Sequence, residues 1–280
     1  ACAWRKRCSR AGRIKAHMVA QPAVLVTRPE REAGPWVQAL QAEGVHAEAF
    51  PLIEIAALPE ASALSAAWLK VPTCLAVMFV SANAVRFFMA AQPAGVAVQA
   101  CRAWATGPGT QAALLEAGWP AGQIDAPAAD SLQFDSEALW AVVAERVRLA
   151  QAQGPTTVLI VRGADAQGQM AGRDWLAQQL EDAGLQVAQV VAYVRRAPVL
   201  TPALQARAEQ SLRDGSLWLF SSSEAAQHLR QACPQLDLSR AWALATHPRI
   251  AERLRQAGWG HVELVPAALS AQAVSIKSLS

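Results

Sequence analysis

The sequence predicts an α/β protein of two similar lobes, each a parallel sheet covered on both faces by helices. Three observations carry this. Strand-like apolar runs alternate with helical segments along the 280 residues, the pattern of a buried parallel sheet. Two kinds of segment each occur twice in the chain, the mark of an internal duplication. Apolar residues make up 53% of the chain and aromatics only 6%, a composition that suits aliphatic helices packed on a sheet.

Taken in order, the elements fall into units A1, B1, A2 and B2. A1 is a strand ending in arginine, VLVTRP (24–29), followed by the helical WVQALQAEGV (36–45). B1 is a strand ending in a serine turn, VMFVSANAV (77–85), leading through a second strand to the helix of WATGPGTQAALLEAGW (104–119). A capped helix follows over 138–150, with Asp135-Ser136-Glu137 at its start. A2 repeats the first unit as VLIVRG (158–163) and DWLAQQLEDAGL (174–185). B2 repeats the second as LWLFSSSEAA (217–226) and ALATHPRIAERLRQAGW (243–259). The offset is 141 for Phe79 to Phe220 and 140 for Trp119 to Trp259, so both ends of the B unit agree. Pro108 and Pro248 stand where a first helical turn accepts proline, and Gly44, Gly118, Gly184 and Gly258 close their helices.

Each A unit is joined to its B unit by an extended stretch, AEAFPLIEI (47–55) in the first case and QVAQVVAYVRR (186–196) in the second. Counted from Gly44 and Gly184 they are equivalent, and Ile53 matches Tyr193, the only tyrosine. Paired as a ribbon between the lobes, they put Tyr193 at the junction, facing the cleft. The duplication allows lobes A1+B1 and A2+B2, or the crossed A1+B2 and B1+A2.

Composition excludes several classes. Residues 1–17 hold six basic residues and no acid, leaving 19 basic and 22 acidic residues for the rest. A slightly acidic body argues against general nucleic-acid binding, which needs a basic face. No run of about 18 apolar residues suggests a membrane span. The first 20 residues lack the apolar core of a secretory signal and are expected to form a disordered leader, with Met18 a candidate start. The five scattered cysteines show no CxxC pair and fit small buried residues in a reducing cytosol. TGPGT (106–110) is not GxGxxG, the phosphate loop GxxxxGK[ST] is missing, no histidines are spaced as HExxH, and Ser222 has no GxSxG elbow. The motif readings for a nucleotide cofactor, a metal site or a serine nucleophile are therefore weak.

Ligands of doubly wound sheets bind beyond the carboxyl ends of the strands. Four turns there carry small polar residues and precede helices: Ser81-Ala82-Asn83, Thr106-Gly107-Pro108-Gly109-Thr110, Ser221-Ser222-Ser223 and Ala245-Thr246-His247. Each offers free N–H groups and a hydroxyl, suited to carboxylates or phosphates of a shared polyanionic ligand. The same residues also serve as helix caps. Arg28 and Arg162, the latter followed by Gly163, end the A strands, where a guanidinium can fork onto a carboxylate or brace a neighbouring helix. His247 is the acid/base candidate by position.

VLVTRP, FPLIEI, FVSANAV, ATGPGT, DSEAL, VLIVRG, VVAYVRR, LFSSSEA and ATHPRIA occur in this order from about Val24 to Pro266. Together they resemble the uroporphyrinogen-III synthase family. The resemblance implies two flavodoxin-like doubly wound lobes joined by a two-stranded β-ladder, in the crossed arrangement. Residues 1–50 and 196–280 then form a discontinuous lobe and 51–195 an inserted one. It implies a cofactor-free lyase that cyclises hydroxymethylbilane, an octacarboxylate, to uroporphyrinogen III with loss of water and inversion of ring D. The accepted route passes through an azafulvene and a spiro-pyrrolenine. Tyr193 matches the family tyrosine that assists departure of the substrate hydroxyl. Groups around Ser81, Asn83, Thr106, Gly107, Ser221, Ser222, Thr246 and His247 would hold acetates and propionates, with Arg28, Arg162 and Gly163 beside them. The expected setting is a cytoplasmic monomer with transient contacts to neighbouring pathway enzymes, no nucleic acid and no membrane. The alternative is a non-catalytic two-lobed binding protein for an anionic metabolite.

Overall fold

The computed structural model describes residues 22–60, 62–96, 101–128, 131, 135–170 and 174–278. The basic leader, with Cys2, Cys8 and Met18, lies outside the described residues. The first half of the chain runs β1 (Val24–Val26), α1 (Glu30–Ala42), β2 (Ala47–Ala49), β3 (Glu54–Ala57), α2 (Ser62–Trp68), β4 (Cys74–Phe79), α3 (Ala82–Ala90), β5 (Arg102–Ala105), α4 (Pro108–Glu116), β6 (Ile124–Asp125) and α5 (Ser136–Gln151). The second half runs β7 (Thr157–Ala164), α6 (Trp175–Asp182), β8 (Gln186–Arg196), α7 (Pro202–Asp214), β9 (Leu217–Phe220), α8 (Ser223–Ala232), β10 (Trp242–Ala245), α9 (Pro248–Gln256), β11 (His261–Leu264) and α10 (Leu269–Lys277).

Two sheets result. One is a five-stranded parallel sheet of order β11-β10-β9-β1-β2. The other has six strands in the order β3-β8-β7-β4-β5-β6, parallel except where β3 meets β8. β1, from the first A copy, therefore pairs with β9 of the second B copy, and β7 pairs with β4 of the first B copy. Of the two combinations open to the duplication, the strands take the crossed one.

The strands alternate at period two and bury both faces, as parallel strands under helices on both sides must. Leu25 enters one core while Val24 and Val26 enter another. Val77 and Phe79 enter a third while Ala76 and Met78 enter a fourth. The duplication extends to the packing. Trp119 meets Phe79 edge-on at 5.7 Å, and Trp259 meets Phe220 edge-on at 5.1 Å. Each such aromatic contributes about 1.5–3 kcal/mol by burial alone. Gly118 and Gly258, the matching helix ends, turn at φ +85° and +87°, a conformation that glycine adopts without strain. Cys74, Cys101 and Cys233 are buried free thiols.

Two expectations are modified. α1 begins at Glu30 rather than near residue 36, and Pro35 lies inside it. The two extended stretches also do more than join. Ala47–Ala49 is an edge strand of the five-stranded sheet, and β8 runs beside β7 from Gln186 onward. Only residues 54–57 and 193–196 face each other, antiparallel, with Ala57 opposite Tyr193 and Glu54 opposite Arg196.

Candidate active site

A cavity of about 470 Å³ opens beyond the carboxyl ends of β4, β5 and β7. Five of the residues named from the sequence meet there: Ser81, Thr106, Arg162, Gly163 and Tyr193. Tyr193 reaches this place through a defect in β8. Arg162 stands opposite Val191, but Gly163 stands opposite Tyr193, so Ala192 is one residue in excess. Such a bulge bends a strand and re-aims the next side chain.

The Tyr193 ring is then held on three sides. It lies over Gly163, where a Cβ would come within 2.5 Å of Tyr193 Cζ and 2.9 Å of its oxygen. Phe87 stacks on it, with centroids 5.8 Å apart and planes inclined by 24°. Its phenol oxygen is 3.0 Å from Ser81 Oγ. Tyr193 is only 4% exposed. Burial pushes the phenol above its usual value, against the opposing pull of the Ser81 hydrogen bond and Arg195. The group is thus a neutral donor at physiological pH.

The strand-end turns are used as caps and as bridges between the two sheets. Ala84 N–H donates to Ser81 Oγ (3.2 Å), Glu224 N–H to Ser222 Oγ (3.2 Å) and Arg249 N–H to His247 Nδ1 (3.1 Å). Thr106 Oγ1 donates to the Val80 carbonyl (3.3 Å), and Gly107 precedes the first turn of α4. Asn83 is engaged on both sides, donating to Glu32 of α1 (3.1 Å) and accepting from Arg86 (3.2 Å). Arg195 of β8 pairs with Glu224 and donates to Ser222 Oγ (3.3 Å). His228 Nδ1 donates to the Leu52 carbonyl (2.6 Å).

The two strand-end arginines have different surroundings. Arg162 is buried and bonded to Asp174 and to Gln189 (2.7 Å). Arg28 does not line the cavity; it lies 4.0 Å over Trp36 and 3.4 Å from Glu32. Asn83, Gly107, Ser221, Ser222, Thr246 and His247 also lie outside the lining. Sequence reasoning missed Arg249, the second residue of α9, which lines the cavity from the five-stranded sheet's side and forms no ion pair among the described residues. Its signal was its place at a helix start directly after the Thr246-His247 turn. Arg195 lines the cavity too. Among the described residues no group of three His, Cys, Asp or Glu side chains could hold a metal ion. No described helix is long and apolar enough to cross a membrane.

A family model described as uroporphyrinogen-III synthase HemD matches residues 34–273. Among solved structures, uroporphyrinogen-III synthetase from Helicobacter pylori is 17% identical, covering 93% of this chain and 100% of that one, with a TM-score of 0.61. A mutant uroporphyrinogen III synthase from Thermus thermophilus is 18% identical, covering 92% and 98%, with a TM-score of 0.54. At these identities the structural likeness speaks for the fold.

Proposed function

The chain belongs to the uroporphyrinogen-III synthase family, cyclising lyases of tetrapyrrole biosynthesis, and from that premise we propose that Tyr193 is the group that assists loss of the substrate's hydroxyl. The single observation that carries this is the caged phenol. It is the only tyrosine, it faces the cavity, and it is held protonated by burial. A neutral phenol can donate to the departing oxygen without itself ionising. The proton that completes the departing water is matched by the one lost from the adjoining pyrrole N–H, so the phenol keeps its own and the neutral azafulvene that ring closure requires is left.

The remaining work is positioning. A linear octacarboxylate must fold until its ends meet, which is an entropic task. On one bank the N–H groups at the start of α4 supply donors, beside Thr106, whose own hydroxyl proton goes to the Val80 carbonyl. Arg249, with the Thr246-His247 turn behind it, supplies a guanidinium on the other. Arg195 and Arg162 add positive charge to the cavity wall while staying bonded to protein partners. Ser221 and Ser222, at the start of α8, take the carboxylates that reach farther. Arg28 and Asn83 act through the Glu32 contact that ties the two halves together.

We read residues 1–50 with 196–280, and 51–195, as the two lobes, a division supported by which strands share a sheet. A cytoplasmic monomer with transient contacts to neighbouring pathway enzymes completes the reading; gel filtration at micromolar concentration tests the monomer. For the site, the experiment is turnover of hydroxymethylbilane. Wild-type protein yields the type III isomer. Tyr193→Phe yields it more slowly, with an unchanged circular dichroism spectrum. An unchanged rate removes Tyr193 from the chemistry.

A further inference from the structure

Ser81 lies between two groups that each need something from it. Ala84 N–H is one of the free donors at the start of α3, and Ser81 Oγ accepts it at 3.2 Å. The phenol oxygen of Tyr193 lies 3.0 Å away on the cavity side. A hydroxyl has one proton and two lone pairs. We propose that Ser81 is a positioning residue for Tyr193 rather than a carboxylate ligand: it accepts from the α3 N-terminus and donates its own proton to the phenol oxygen, leaving the phenol proton to point into the cavity.

Two directions are open to the Ser81–Tyr193 bond, and they differ in consequence. If Tyr193 donates to Ser81, its only proton is taken up inside the protein and cannot assist a leaving group. If Ser81 donates, the phenol proton is free. A substrate hydroxyl in the cavity offers lone pairs and selects the second direction. The chain then runs from Ala84 N–H to Ser81 to Tyr193 to substrate, each bond polarising the next by roughly 10–30%. The positive end of α3 drives it in that sense. The ring cannot turn away from this line, because Gly163 and Phe87 occupy its two faces. With its proton given to Tyr193, Ser81 has none left for a carboxylate.

The inference rests on Tyr193 being the donor to the departing hydroxyl, and the test separates the two. Ser81→Ala is expected to lower kcat about tenfold with KM within twofold, and Ser81→Thr to restore most of the rate. Combined with Tyr193→Phe, Ser81→Ala should cost nothing further. Ser81→Asp controls for capping: it still accepts Ala84 N–H, but an ionised carboxylate cannot donate, so its rate should fall at least as far as that of Ser81→Ala. Since Tyr193 is the only tyrosine, a ¹³Cζ-tyrosine label gives one resonance, expected to move in Ser81→Ala and to return in Ser81→Thr. A raised KM, an effect that multiplies with Tyr193→Phe, or an unmoved resonance overturns the proposal. A Tyr193→Phe enzyme with wild-type turnover overturns the donor reading itself, whatever Ser81 does.

Discussion

Replacing Gly163 with alanine would place a Cβ 2.5 Å from Cζ, 2.7 Å from Cε2 and 2.9 Å from the oxygen of Tyr193. Gly163 is not among the glycines with positive φ, so the backbone itself accepts alanine. At such a site Gly→Ala ordinarily stabilises by about 0.4–1 kcal/mol through the unfolded chain. Here the sign should reverse. The ring cannot retreat freely, because Phe87 stacks on it and Ser81 holds its oxygen. Overpacking of this kind costs about 1–3 kcal/mol, a Tm lower by roughly 2–10 °C in a protein of this size. Displacement of the phenol should also slow turnover, with little change in KM. The decisive assay is a double-mutant cycle by thermal unfolding. In a Tyr193→Ala background the space is empty and the cost of Gly163→Ala should vanish or turn into a gain. A Gly163→Ala protein as stable and active as wild type refutes the close-approach argument, as does an undiminished cost in the Tyr193→Ala background.

Arg249→Gln should raise KM about tenfold while changing kcat less than threefold, the loss of roughly one charge-assisted hydrogen bond; added salt should weaken wild-type binding more steeply than that of the variant. Alkaline stability should carry a signature of Cys101. Burial pushes its thiol from 9.0 to about 12, so the unfolded chain releases that proton first, and stability present below pH 9 is lost as pH rises toward 12. Thermal unfolding from pH 8 to 11 should show a shallower decline for Cys101→Val than for wild type, and an equal slope would exclude the thiol as a cause.

The repeated units were legible because their signals are local. Continuous apolar runs mark β1 and β4, and proline at the first turn together with glycine at the end marks α4 and α9. The position of Tyr193 was legible as well, through its equivalence with Ile53. What surrounds it was not. The excess residue Ala192 and the approach of the ring to Gly163 arise from pairing between strands about 30 residues apart, and no local pattern encodes that register. Asn83–Glu32 and Arg195–Glu224 join opposite halves of the molecule; no local pattern in the sequence pairs these residues. The serine turns illustrate a further ambiguity. Capping and ligand binding use the same oxygen, and at Ser81 and Ser222 the oxygen already accepts a helix N–H. Arg249 reads in the sequence as one of many arginines; its place after the Thr246-His247 turn is a weak signal, and the cavity is what singles it out.

The duplication supplies an internal control for why the phenol sits where it does. Aligning VLVTRP with VLIVRG sets Pro29 against Gly163, and the B-unit offset sets Ser222 against Ser81. At the first junction Ile53 occupies the place of Tyr193 and is buried in the core. A phenol introduced there would meet a proline ring in place of the open face of glycine. Ile53→Tyr should therefore fail to restore turnover to Tyr193→Phe, even where the double variant folds with a native spectrum. Recovery of the rate would mean that any phenol between the lobes suffices. Failure would place the requirement in the glycine, the bulge and the polarised serine, which only the second junction combines. The substrate loses one hydroxyl from one end, so one donor at one junction meets the chemical need, while both lobes remain free to hold carboxylates.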